Sequence, residues 1–139
     1  MSNKNKSMAD LLAQYGPAVD QLLRQEIGHS NDLIHRIARY HLGWTDESGH
    51  PGKYDRGKGI RSTMCLLACD AMSGDHRPAL PAAVAIDLIH NFTLIHDDVM
   101  DGDVLRRGRP SVWKLWGIEQ AINTGDMLYA LAFVALTKL

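Results

Sequence analysis

Apolar residues recur along this chain at spacings of three and four, the period of a helix packed on one side. Leu11, Leu12, Tyr15, Val19, Leu22, Leu23 and Ile27 form the first such stripe. Ser7 can cap it, with Asp10 three residues on in a capping-box pattern, and Gly16-Pro17 predicts a break or kink inside it. A second helix is expected from about Asn31 through Leu33, Ile34, Ile37, Ala38 and Leu42, with Gly43 as its stop. Residues 44–57 hold Gly49, Pro51, Gly52 and Gly57 and read as a loop. A third helix is predicted from about Lys58 to Ser73, ahead of Gly74, and a longer fourth from about Pro78 to Asp101, ahead of Gly102. Residues 102–117 read as a basic loop with a short turn around Trp113 to Trp116. The last helix starts near Ile118 and is still strongly apolar at Leu136. With no strand-like alternation and no repeat, the expectation is an all-α, antiparallel helical bundle in one domain over residues 1–139.

The longest apolar run, Leu128 to Leu136, is far short of the ~20 residues that span a bilayer. Thr137-Lys138-Leu139 supplies no glycine, proline or polar tail after it, which predicts a chain that stops within its fold. Charge changes the picture by exclusion. Fifteen Lys and Arg against 16 Asp and Glu give a net charge of −1, so bulk attraction to nucleic acid or to an anionic membrane is not the basis of function. Cys65 and Cys69 lie four apart and read as two reduced, buried thiols, because no second pair completes a zinc site. Few cysteines, and no hydrophobic stretch after the basic start, lead to the expectation of a soluble, cytoplasmic protein.

The chemistry concentrates at the end of the fourth helix. Asp97, Asp98 and Asp101 put three carboxylates into five residues, near a helix C-terminus where the macrodipole disfavours anions. At ~100° per residue, Asp97, Asp101, His90, Asp87 and Asp98 fall on one side of the wheel, while Leu88, Phe92, Ile95 and Val99 gather on the other. A solvated acidic face explains scattered charges better than it explains a crowded trio. A divalent cation relieves the crowding, and oxygen ligands that share it with phosphate suit magnesium, Mg²⁺. Leu105-Arg106-Arg107-Gly108-Arg109-Pro110 follows at once, and arginines beside such a site point to phosphate or diphosphate.

Asp97-Asp98-Val99-Met100-Asp101 with the arginine segment after it resembles the first aspartate-rich motif of the trans-isoprenyl diphosphate synthases, the polyprenyl synthetase family. Leu88 to His96 resembles the family's lead-in, Gly57-Lys58-Gly59-Ile60-Arg61 its upstream Gly-Lys-x-x-Arg motif, and Gln120 to Asp126 its next segment. The resemblance implies the N-terminal half of an isoprenoid synthase bundle. It assigns Asp97, Asp98 and Asp101 to Mg²⁺ ions that hold an allylic diphosphate, and Arg106 to that same diphosphate. It assigns Lys58, Arg61, His90 and Arg107 to the diphosphate of isopentenyl diphosphate. It further implies a prenyltransferase of isoprenoid biosynthesis that works as a homodimer in its full-length form. Lys58 and Arg61, three apart at a helix start, would share a face and gain from the helix dipole.

Ser62 stands where the family usually has proline, and the family's downstream aspartate-rich, Lys-Thr and Phe-Gln motifs are not in this sequence. Phe92 and Thr93 before Asp97, with two residues between Asp98 and Asp101, resemble geranylgeranyl-type more than farnesyl-type synthases. Three readings compete with an elongating enzyme. They are a non-catalytic diphosphate-binding or partner subunit, an inert helical packing module, and a terpene cyclase. The upstream Gly-Lys-Gly-Ile-Arg speaks for a second diphosphate and against the cyclase. Trp113 and Trp116 are read as packing residues, and His96 is given no site role.

Overall fold

The computed structural model of the protein describes residues 5–139. Six helices carry the fold: α1 (Met8–Ile27), α2 (Leu33–His41), α3 (Ile60–Ser73), α4 (Leu80–Asp101), α5 (Val112–Trp116) and α6 (Ile118–Leu136). A 3₁₀ turn, Arg77–Ala79, leads into α4. The two-residue strands β1 (Leu105–Arg106) and β2 (Arg109–Pro110) form an antiparallel hairpin, with Arg106 opposite Arg109.

α4 is the central element, packed most extensively on α6 and also on α3 and α1. It is long and apolar enough to cross a membrane by length and composition. Here its inner face, Ala83, Val84, Leu88 and Ile95, is sealed by other helices, as in a bundle core. Tyr15, Val19, Leu23 and Ile27 of α1 complete the core with Ile37, Leu66, Leu128 and Ala132.

The capping box forms as expected. Ser7 Oγ accepts from the Asp10 amide at 3.2 Å, and Asp10 Oδ2 accepts from the Ser7 amide at 2.9 Å. Of the break or kink expected at Gly16-Pro17, the break does not occur: α1 runs through it for 20 residues. Its buried stripe falls at every fourth residue on both sides of the exposed Pro17, so packing holds the helix despite one lost hydrogen bond. The hairpin lies where a loop is expected, because two-residue strands show no alternation. The thiols of Cys65 and Cys69 are free, as expected, but half-buried rather than buried.

Candidate functional site

α3 begins two residues later than the pattern predicts. Gly57 and Gly59 both adopt positive φ (86° and 67°), which breaks the helical path before Ile60. Lys58 therefore sits in the loop and not on a shared helix face with Arg61. Even so, Lys58, Arg61, His90 and Arg107 line one cavity of about 200 Å³. Arg56, Asp87 and Asn91 line it as well. Arg61 comes from the first turn of α3, His90 and Asn91 from the middle of α4, and Arg107 from the tip of the hairpin.

Cations outnumber the carboxylate of Asp87 in this cavity. Burial and the neighbouring Arg61, Arg107 and Arg106 hold the His90 imidazole below its ordinary range. Burial, aggravated by Arg106 and Arg56, weakens the hold of Arg107 on its proton. Arg107 Nη1 is buried with no hydrogen-bond partner among the described residues, an arrangement that costs free energy unless an anion meets it. Gly57 lies so close that a Cβ there would stand 2.9 Å from Arg107 Nη2.

Beneath the cations runs a buried polar chain. Ser62 Oγ donates to Asp87 Oδ2 at 3.1 Å, Asn91 Nδ2 donates to the Asp87 carbonyl at 2.8 Å, and His41 Nε2 donates to Asn91 Oδ1 at 3.0 Å. Burial raises the Asp87 carboxyl above its usual range against the pull of Ser62 and three arginines. Burial and Arg107 push the His41 imidazole down to about 3, so it is neutral here. The serine that departs from the expected proline thus positions a carboxylate at the cavity floor. Asp87 was legible on the polar side of the wheel, but nothing in the sequence marked Arg56, Asn91 or His41.

The three aspartates divide into two environments. Asp98 is 2% exposed and is gripped by Arg106, whose Nη2 and Nε reach its carboxylate at 2.6 and 3.1 Å. Asp98 holds the Arg106 proton more firmly in turn. Asp97 and Asp101, one turn apart, make no side-chain hydrogen bond or ion pair among the described residues. Among those residues, no three His, Cys, Asp or Glu side chains form a ready-made metal cage. Two free carboxylates on one helix edge still fit a hard cation that takes its remaining ligands from phosphate and water. Arg106 faces Asp98 and is not part of the Lys58 cavity.

Solved structures with this fold are isoprenoid synthases, so the class is the all-α isoprenoid synthase bundle. A polyprenyl synthetase from Streptomyces coelicolor matches with a TM-score of 0.87 and 38% identity, over 94% of this chain and 38% of its own. A geranylgeranyl pyrophosphate synthetase from Pyrococcus horikoshii matches with a TM-score of 0.79 and 33% identity, over 95% of this chain and 38% of its own. Residues 48–139 match the family described as Polyprenyl synthetase, and the chain belongs to it. A (2E,6E)-farnesyl diphosphate synthase of Mycobacterium tuberculosis is 43% identical over 114 residues, which is 82% of this chain and 32% of that protein. A geranylgeranyl diphosphate synthase of the same organism is 43% identical over 118 residues, 85% of this chain and 34% of that protein. The chain thus spans about a third of the length of the curated relatives it matches.

Proposed function

We propose that the chain supplies the N-terminal part of a Mg²⁺-dependent trans-prenyltransferase that joins isopentenyl diphosphate to an allylic diphosphate in the cytoplasm, as a homodimer in its full form. The observation that carries this reading is the cavity itself. Lys58, Arg61, His90 and Arg107 come from the loop before α3, from α3, from α4 and from the hairpin to one space, and Arg107 Nη1 is buried with no partner among the described residues. Cations so arranged, against a low-dielectric wall, suit the diphosphate of isopentenyl diphosphate. Burial and the neighbouring arginines lower the proton affinity of His90, which offers the diphosphate a hydrogen-bonding group beside them.

The allylic diphosphate falls to Asp97, Asp98 and Asp101. Magnesium bound there supplies the positive charge that stabilises diphosphate as a leaving group. Asp97 and Asp101 offer their oxygens outward, while Arg106 fixes Asp98 and keeps remaining N–H donors for the same diphosphate. The chain's contribution to the reaction is to hold one diphosphate beside the middle of α4 and the other at its C-terminal end, so that their hydrocarbon tails can meet. A second reading, a non-catalytic diphosphate-binding or partner subunit, rests on the same cavity, since its cations alone would hold a diphosphate.

Calorimetric titration of inorganic pyrophosphate with and without Mg²⁺, followed by incubation with isopentenyl and allylic diphosphates, tests both. Pyrophosphate binding strengthened by Mg²⁺ is expected. Elongated product favours the enzyme, whereas binding without product by the chain alone is expected of an N-terminal part and of a subunit alike. Absence of pyrophosphate binding under both conditions sinks both readings and leaves an inert packing module.

A further inference from the structure

Arg56 and Lys58 reach the cavity from the loop after α2, and Arg107 reaches it from a hairpin about fifty residues further along the chain. Like charges repel, and neither segment is a long regular element that would hold itself in place. Something must press the two together.

Arg109 joins them. Its guanidinium lies between two rings, 3.9 Å from the Tyr40 centroid and 3.8 Å from the Tyr54 centroid. Nη2 donates to the Thr45 carbonyl at 2.7 Å and Nη1 to the Tyr40 carbonyl at 3.2 Å. Arg109 pairs with Arg106 in the hairpin, so its backbone is one turn residue removed from Arg107. Tyr54 is itself fixed, its amide donating to the Gly43 carbonyl at 3.0 Å. The hydroxyl of Tyr40 donates to the Pro110 carbonyl at 2.7 Å, a second tie to the same strand. The planar, delocalised cation serves both contacts at once, stacking through its faces and donating through its edge.

We infer that Arg109 is a positioning residue, which clamps the Arg107 hairpin to the loop bearing Arg56 and Lys58 and so sets the spacing of the diphosphate-binding cations. Arg109 does not line that cavity. The inference rests on the diphosphate reading of the cavity given above.

The test is calorimetric titration of inorganic pyrophosphate, with and without Mg²⁺, into the chain and its Arg109→Gln, Arg109→Lys, Tyr54→Leu and Arg109→Gln/Tyr54→Leu variants. Mg²⁺-free affinity is expected to fall about tenfold in Arg109→Gln, the scale of one lost clamp of stacking and hydrogen bonds. Arg109→Lys restores only part of it, because lysine keeps the charge and loses the plane. Tyr54→Leu weakens binding too, and the double variant is no weaker than Arg109→Gln alone. The increment that Mg²⁺ adds stays within about twofold throughout, which a partly unfolded protein would not preserve. Should Arg109→Gln fail to fold, Tyr54→Leu carries the test. Variants that bind like the wild type, full rescue by lysine, or losses that simply add would overturn the clamp and leave the diphosphate reading standing. A wild-type chain that binds no pyrophosphate removes both.

Discussion

Gly125 offers a sharp test of how α4 and α6 meet. A Cβ built there would lie 2.3 Å from His96 Nε2 and 2.5 Å from His96 Cδ2, far inside contact distance. The ring is not free to retreat. Its Nε2 bonds the Ile122 carbonyl at 3.2 Å, and its edge meets the Phe92 ring at 5.1 Å between centroids. Two effects of Gly125→Ala oppose each other. Helix propensity favours alanine by about 1 kcal/mol. Overpacking a closed contact costs about 1–3 kcal/mol. The clash wins over most of that range, so Gly125→Ala is expected to destabilise the protein by up to about 2 kcal/mol net. In a His96→Ala background the obstacle is gone and only propensity remains, so the same substitution should stabilise by up to about 1 kcal/mol. Urea denaturation of the four proteins, followed by far-ultraviolet circular dichroism, measures both values. A Gly125→Ala effect of the same sign and size in both backgrounds would refute the packing argument.

Three further outcomes are expected. Arg106→Leu orphans the buried Asp98 and should cost about 3 kcal/mol in a denaturant melt, most of it recovered in Arg106→Leu/Asp98→Leu; a double variant as unstable as the single one contradicts this. Between pH 6.5 and about 3, unfolded His41 binds a proton that the folded chain refuses. Stability therefore rises with pH across that window, and about 2 kcal/mol should be lost between pH 8 and pH 5. Asp87, whose carboxyl is raised, works in the opposite sense. His41→Gln should flatten the slope, and an unchanged slope rules His41 out as its source. Asp97→Asn and Asp101→Asn should each abolish most of the Mg²⁺-dependent gain in pyrophosphate affinity while leaving the Mg²⁺-free value intact, and loss of both together would count against two separate diphosphate sites.

The sequence revealed the bundle where the signal was periodic. The α4 stripe, the Ser7 cap and the stop at Gly102 need only local chemistry, and each is where the pattern puts it. At Pro17 the local penalty alone predicts a break or kink, and the buried stripe on both sides of it carries the helix through unbroken. Lys58 is expected at the start of α3 and sits in the loop before it, because the positive φ of Gly57 and Gly59 shows only in the backbone. The polar face of α4 was legible as a face but not as two edges. Asp97 and Asp101 look outward, while Asp87 and Asp98 turn toward Ser62 and Arg106, partners 25 and eight residues away in sequence. Long-range pairings of this kind leave no period behind.

The hairpin tip makes two demands on one residue. Its two-residue turn needs positive φ at both Arg107 (53°) and Gly108 (77°), a conformation in which asparagine followed by glycine is most at ease. Arginine sits there under backbone strain of about 1 kcal/mol or more, and it also buries a charge. The position that would be improved most easily for stability is therefore the one whose improvement strips a cation from the cavity. A sturdier fold and a cation in the cavity pull in opposite directions at Arg107, so a thermostabilised version of this chain chosen on melting temperature alone would tend to lose that cation.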